Sequence, residues 1–156
     1  MDHEKFMREA IQMSRDSVHK CGGGPFGAVI VKDGKIIGRG ANNVTQNNDP
    51  TAHAEVSAIR DACAQLGDFS LKGCTIYSSC EPCPMCLSAI YWARLDKVYF
   101  ANTQDDAAKI DFDDAFLYRE VALPLQDRSL PIEQILHEEA VEVFQEWANK
   151  DDKVQY

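Results

Sequence analysis

Cys80, Cys83 and Cys86 stand three residues apart in the stretch SSCEPCPMC (78–86), with Pro82 and Pro84 wedged between them. Thirty residues before Cys83 is His53, followed two positions later by Glu55 in the triplet HAE. One imidazole and two thiolates from His53, Cys83 and Cys86 are a donor set that can hold zinc and leave a fourth position to water. Two thiolates neutralise the dication, so such a site acidifies its water less than an all-histidine site and needs a base close by. Glu55 is the candidate. Other chemistries compete for the same residues. Cys80 could be a fourth ligand and close a structural Cys3His shell. The three cysteines could belong to an iron–sulfur loop, although the bacterial spacing asks for a further cysteine where Ile90 stands. Cys83 and Cys86 could also be a redox pair. None of these accounts for a glutamate two residues after a distant histidine, nor for the glycine-rich apolar run GGGPFGAVIV.

These residues need elements to hold them. Residues 53–66 have helical periodicity, with Val56, Ile59, Ala62, Cys63 and Leu66 on one face. CTIYSS (74–79) reads as a buried strand, and PMCLSAIYWAR (84–94) as a helix with Pro84 in its first turn. Both ligand segments therefore fall at helix N-termini, where unpaired N–H groups and the helix dipole favour thiolate. Upstream, residues 3–18 form an amphipathic helix with Phe6, Met7, Ala10, Ile11, Ser14 and Val18 inward, stopped by CGGG (21–24). Two β-rich runs follow, hinged on Asp33-Gly34, a strong hairpin signal. KVYFA (97–101) is a further strand. Beyond it, 113–121 reads as a short helix, 132–137 as an edge strand, 138–150 as an amphipathic helix, and 151–156 as a mobile tail. Strands alternating with helices after a hairpin indicate an α/β sandwich with a partly parallel sheet.

The 156 residues suffice for one domain and leave no room for two of ordinary size. A formal net charge of −9 argues against a protein that grips nucleic acid by its phosphates and favours a small, uncharged substrate. The N-terminus carries charge throughout and has no apolar signal-peptide core, and no apolar run approaches a membrane span. Six cysteines without an export signal point to a reducing, cytoplasmic setting. Cys21, Cys63 and Cys74 read as small core residues.

Taken together, H-x-E followed by P-C-x-x-C is similar to the cytidine deaminase-like zinc hydrolases, over about residues 25–100. That resemblance implies a three-layer α/β/α sandwich with a mixed sheet and one Zn2+ per subunit on His53, Cys83 and Cys86. It also implies Glu55 as proton shuttle, with Cys80 near the metal but not bound to it. Cytidine deaminases usually carry cysteine at the position of His53, and riboflavin-pathway deaminases have a longer insert between the two cysteines. The longer runs DPTAHAEVSAIRDAC, SSCEPCPMCLSAIYWAR and DFDDAF, with a terminal aromatic, resemble the small bacterial guanine deaminases over nearly the whole chain. The implied reaction is hydrolysis of guanine to xanthine and ammonia, with zinc-activated water attacking C2.

The implied pocket takes Phe26 for stacking, Asn42 for the base edge, the Ala54 amide facing the ring near the zinc, and Trp92 as a border. Asp114 and Tyr156 would come from the partner of a homodimer whose C-terminal segment, roughly 103–156, is swapped. Each pocket residue also has a plainer reading: a core aromatic for Phe26 and Trp92, a turn residue for Asn42, a helix cap for Asp114, a disordered tail for Tyr156. Adenosine in tRNA, another amino-purine or nucleoside, and an amino-triazine are alternative substrates. A silent subunit with structural zinc is the non-enzymatic alternative, and the intact Glu55 speaks against it.

Overall fold

The computed structural model describes the whole chain, Met1 to Tyr156. Its centre is the hairpin of β1 (Gly27–Lys32) and β2 (Lys35–Ala41). Asp33 and Gly34 both adopt positive φ, 49° and 75°, as a two-residue turn that matches the strand twist requires. The other edge of β1 pairs antiparallel with β3 (Thr75–Cys80), and β3 pairs in parallel with β4 (Lys97–Asn102). The order is β2-β1-β3-β4, a mixed sheet whose parallel pair is joined through α4 (Pro84–Trp92).

Alternation along β1 sends its side chains to two cores. Val29 and Val31 meet Phe6 and Tyr77 beneath α1 (His3–Lys20). Ala28 and Ile30 meet Ile76, Ala54, Ala58, Ala62 and Ile90 beneath α3 (Ala54–Leu66) and α4. The expected three layers are therefore present. On α1, however, Ser17 is buried and Val18 exposed, because the Ser17 hydroxyl donates to the Gly24 carbonyl at 2.8 Å and ties the glycine turn to the helix.

The buried face of α3 differs from the one its large residues suggest. Ala54, Ala58 and Ala62 face the sheet, Val56 and Ile59 are only partly covered, and Leu66 is exposed. The reason is close approach. Gly40 and Gly38 of β2 lie directly against the α3 backbone, and a Cβ built at Gly40 would sit 2.2 Å from the Ala54 carbonyl oxygen. Only an alanine stripe fits that gap.

The remaining helices are short or lie apart from the sandwich. α2 (Val44–Asn47) and α5 (Gln104–Ala108) are additions to the sequence reading. The start of α5 was legible: Thr103 and Asp106 cap it reciprocally. α6 (Asp114–Ala122) begins at the Asp113 cap, and α7 (His137–Ala148) follows a long connection. The strand expected at 132–137 is absent. Its apolar residues Ile132 and Ile135 are three apart rather than alternating, and the segment pairs with no strand of its own chain. The tail is not loose either: Tyr156 packs against Trp92 and Phe69, and the Arg94 guanidinium donates to its carbonyl oxygen at 3.2 Å. Of the cysteines expected in the core, Cys74 is buried and Cys63 partly so, while Cys21 is exposed at the end of α1.

Candidate metal centre and catalytic cavity

Two helix starts meet at the end of β3. His53 occupies the residue before α3 with φ −67° and ψ 160°, and Cys83 the residue before α4 with φ −67° and ψ 168°. The same extended-to-helical bend turns both side chains to one point, and Cys86 joins them from the first turn of α4. His53 Nδ1 lies 3.6 Å from Cys83 Sγ and 3.5 Å from Cys86 Sγ. Tetrahedral zinc with ordinary Zn–N and Zn–S bonds would set such donors about 3.6 Å apart. The donor set fits the metal without rearrangement. Cys80 is not in this group; its sulfur lies 3.8 Å from the Thr103 carbonyl oxygen.

Electrostatics favours a charged thiolate here. A hydrogen bond from the Cys86 thiol, aided by the His53 ring, brings Cys83 down to about 4 against the opposing effect of burial. Cys86, which shares that proton and is fully buried beside Glu55, is pushed up. The hydrogen bond with Cys83 raises His53, and burial opposes it. Burial pushes the Cys80 thiol up to about 12.

Glu55, in the first turn of α3, is buried, and its Oε1 accepts the Ser78 hydroxyl from β3 at 2.6 Å. A narrow cleft of about 50 Å³ opens over the centre. Phe26, Asn42, Ala54 and Asp114 all line it, as do His53, Glu55 and Cys83. Asn42 is also the turn residue of the plainer reading, since its Oδ1 accepts the Val44 N–H at 3.2 Å; the two roles are compatible. Within the single chain Asp114 lines the same cleft as His53 and Glu55, and burial lifts its carboxyl to about 6.

Two lining residues escaped the sequence reading. Phe112 meets Phe26 edge-on, with ring centroids 4.9 Å apart, and Glu81 accepts the Gln104 N–H at 3.3 Å. Both stand inside the runs DFDDAF and SSCEPCPMC, but neither type nor spacing separates them from their neighbours. Within the single chain Trp92 does not line the cleft; it sits 5.9 Å from Tyr156, the two 62 % and 72 % exposed, beside Val56 and Ile59 of α3. Tyr156 of the same chain does not reach the cleft into which a partner's copy is expected to come. Trp92 points outward because α4 buries Cys86 and Ile90 instead.

Residues 1–102 match the cytidine and deoxycytidylate deaminase zinc-binding region. Over its full 156 residues the chain is 52% identical to the guanine deaminase of Bacillus subtilis, across 100% of both chains. The X-ray structure of that protein superposes with a TM-score of 0.96 over 100% of this chain and 99% of the other. A tRNA-specific adenosine deaminase of Aquifex aeolicus is 43% identical over 101 residues, 65% of this chain and 66% of its own length. A guanine deaminase structure from Nitrosomonas europaea, 30% identical, superposes with a TM-score of 0.69 over 72% of this chain and 65% of the other.

Proposed function

The chain belongs to the cytidine and deoxycytidylate deaminase zinc-binding family, and within it we propose that it deaminates guanine to xanthine and ammonia. The observation that carries the choice of base is the reach of the likeness. Similarity to the guanine deaminase continues through the C-terminal third, whereas the tRNA enzyme matches 65% of the chain. That third contributes Phe112 and Asp114 to the cleft. The net charge of −9 also disfavours a polyanionic tRNA substrate.

His53, Cys83 and Cys86 would hold the zinc, and the chemistry that the metal would supply is Lewis-acid activation of water. The chain's own groups do the rest. Phe26, steadied by Phe112, offers its face to the purine ring. The Asn42 amide donates to the base edge, and the Asp114 carboxylate accepts from a ring N–H. Ser78 fixes one oxygen of Glu55 and leaves the other to exchange protons. Glu55 takes a proton from the attacking water, delivers it to N3, and passes the second to the exocyclic nitrogen as the C2–N bond breaks. C2 gains an oxygen and ammonia departs.

The working unit in this reading is a homodimer in the cytoplasm. The exposed edge of β4 and the apolar residues of the C-terminal third, among them Ile135, Phe144 and Trp147, are left uncovered by a single chain. A second copy exchanging the segment from about residue 103 would cover them. Phe112, Asp114 and Tyr156 would then serve the partner's cleft, while Trp92 stays with its own chain. All six cysteines are unpaired, as a reducing compartment allows. No helix is long and apolar enough to cross a membrane.

An ultraviolet assay on zinc-replete protein tests the proposal, comparing guanine with guanosine, adenine, cytidine, an amino-triazine and a tRNA anticodon hairpin. Xanthine formation from guanine, with little turnover of the rest, is the expected result. Conversion of the hairpin in preference to guanine would overturn the substrate assignment and keep the zinc chemistry.

A further inference from the structure

Helix α6 touches the metal loop through a side chain that the catalytic reading does not use. The Tyr118 hydroxyl donates to the Pro82 carbonyl oxygen at 2.7 Å. Pro82 is buried and immediately precedes the ligand Cys83. On the same helix Asp114 lines the cleft, and residues four apart lie on one face, so Asp114 and Tyr118 turn together toward the metal loop. The loop itself is held from the other side: the Glu81 N–H donates to the Asn102 carbonyl at 2.7 Å, and the Glu81 carboxylate receives the Gln104 N–H. Loop position is thus set by the end of β4, and one phenolic hydrogen bond carries that position onto α6.

We propose that Tyr118 is a positioning residue for the reaction: its hydrogen bond to Pro82 sets the roll of α6 and thereby places the Asp114 carboxylate against the base. The inference rests on the guanine deaminase reading, in which Asp114 contacts substrate. A hydroxyl aimed at a carbonyl does what an apolar contact cannot. Tyr118 lines one surface groove with Leu87, Val98 and Phe100, and apolar neighbours alone would let the helix rotate or slide. The hydroxyl selects one arrangement.

Tyr118→Phe keeps the ring and removes only the bond. The zinc-loaded variant should retain its metal and a kcat within about twofold of wild type. Its KM for guanine should rise about three- to tenfold, the worth of one neutral hydrogen bond. Asp114→Asn combined with Tyr118→Phe should raise KM by less than the product of the single effects, because both act on one contact. Backbone amides of α6 should exchange hydrogen faster in Tyr118→Phe. An unchanged KM, multiplicative effects in the double variant, or loss of zinc together with kcat would each overturn the positioning role. Wild-type protein inert on guanine would instead overturn the substrate reading; the exchange rates of α6 would then decide by themselves whether the anchor exists.

Discussion

Gly40→Ala tests how tightly the metal centre depends on the contact between β2 and α3. The added Cβ would lie 2.2 Å from the Ala54 carbonyl oxygen and 2.4 Å from the Ala58 nitrogen, where ordinary contact begins at 3.4 Å. Both neighbours are backbone of a regular helix, so no side chain can swing aside. Strand and helix must separate by about 1 Å. Forcing a methyl group into a packed interface of this kind costs about 3 kcal/mol, a large part of the roughly 5–15 kcal/mol that holds a domain together. The displaced end of α3 carries His53 and Glu55, while Cys83 and Cys86 stay with α4. Metal sites tolerate errors of only about 0.2 Å in ligand distance, so zinc affinity should fall with stability. Gly67→Ala is the control. Gly67 has φ +65° and nothing within 4 Å, so its substitution should cost about 1 kcal/mol from left-handed backbone alone and leave zinc in place. The assay is urea unfolding of zinc-stripped protein, with zinc retention measured separately against a chromogenic chelator. A Gly40→Ala protein that unfolds with Gly67→Ala and keeps its zinc would refute the steric argument.

Three further outcomes can be checked alongside it. Glu55→Gln preserves volume and can keep the Ser78 hydrogen bond, so zinc content should be unchanged while kcat falls about 10²- to 10⁴-fold; turnover near wild type would remove Glu55 from the proton transfers. Cys80→Ser should leave the metal bound, because the Cys80 sulfur faces the Thr103 carbonyl and stands outside the ligand cluster; metal loss measured by elemental analysis would restore a four-ligand structural site. Truncation after Lys150 removes Tyr156 from its patch on Trp92 and should lower guanine turnover in the dimer without releasing zinc. An undiminished rate, with the dimer intact by sedimentation, would make the tail irrelevant to catalysis.

What could be read from the sequence was local. The Asp33-Gly34 turn, the Pro84 helix start and the H-x-E and P-C-x-x-C spacings depend on residues a few positions apart, so residue type and period decide them. The family resemblance added which of these residues meet, and His53 does lie within ligand distance of Cys83 and Cys86. Side-chain direction is another matter. Sequence periodicity puts Val56, Ile59, Ala62, Cys63 and Leu66 on the buried face. The glycine strand pressing on α3 instead centres that face on Ala54, Ala58 and Ala62, leaving Ile59 and Cys63 at its margin and Leu66 exposed. The roll of α4 likewise sends Trp92 to the surface, and the path after β4 brings Phe112 and Asp114 to the cleft. A helix's hydrophobic pattern shows that it has a buried face; only packing against a specific neighbour decides which residues occupy it and what the opposite face is left to do.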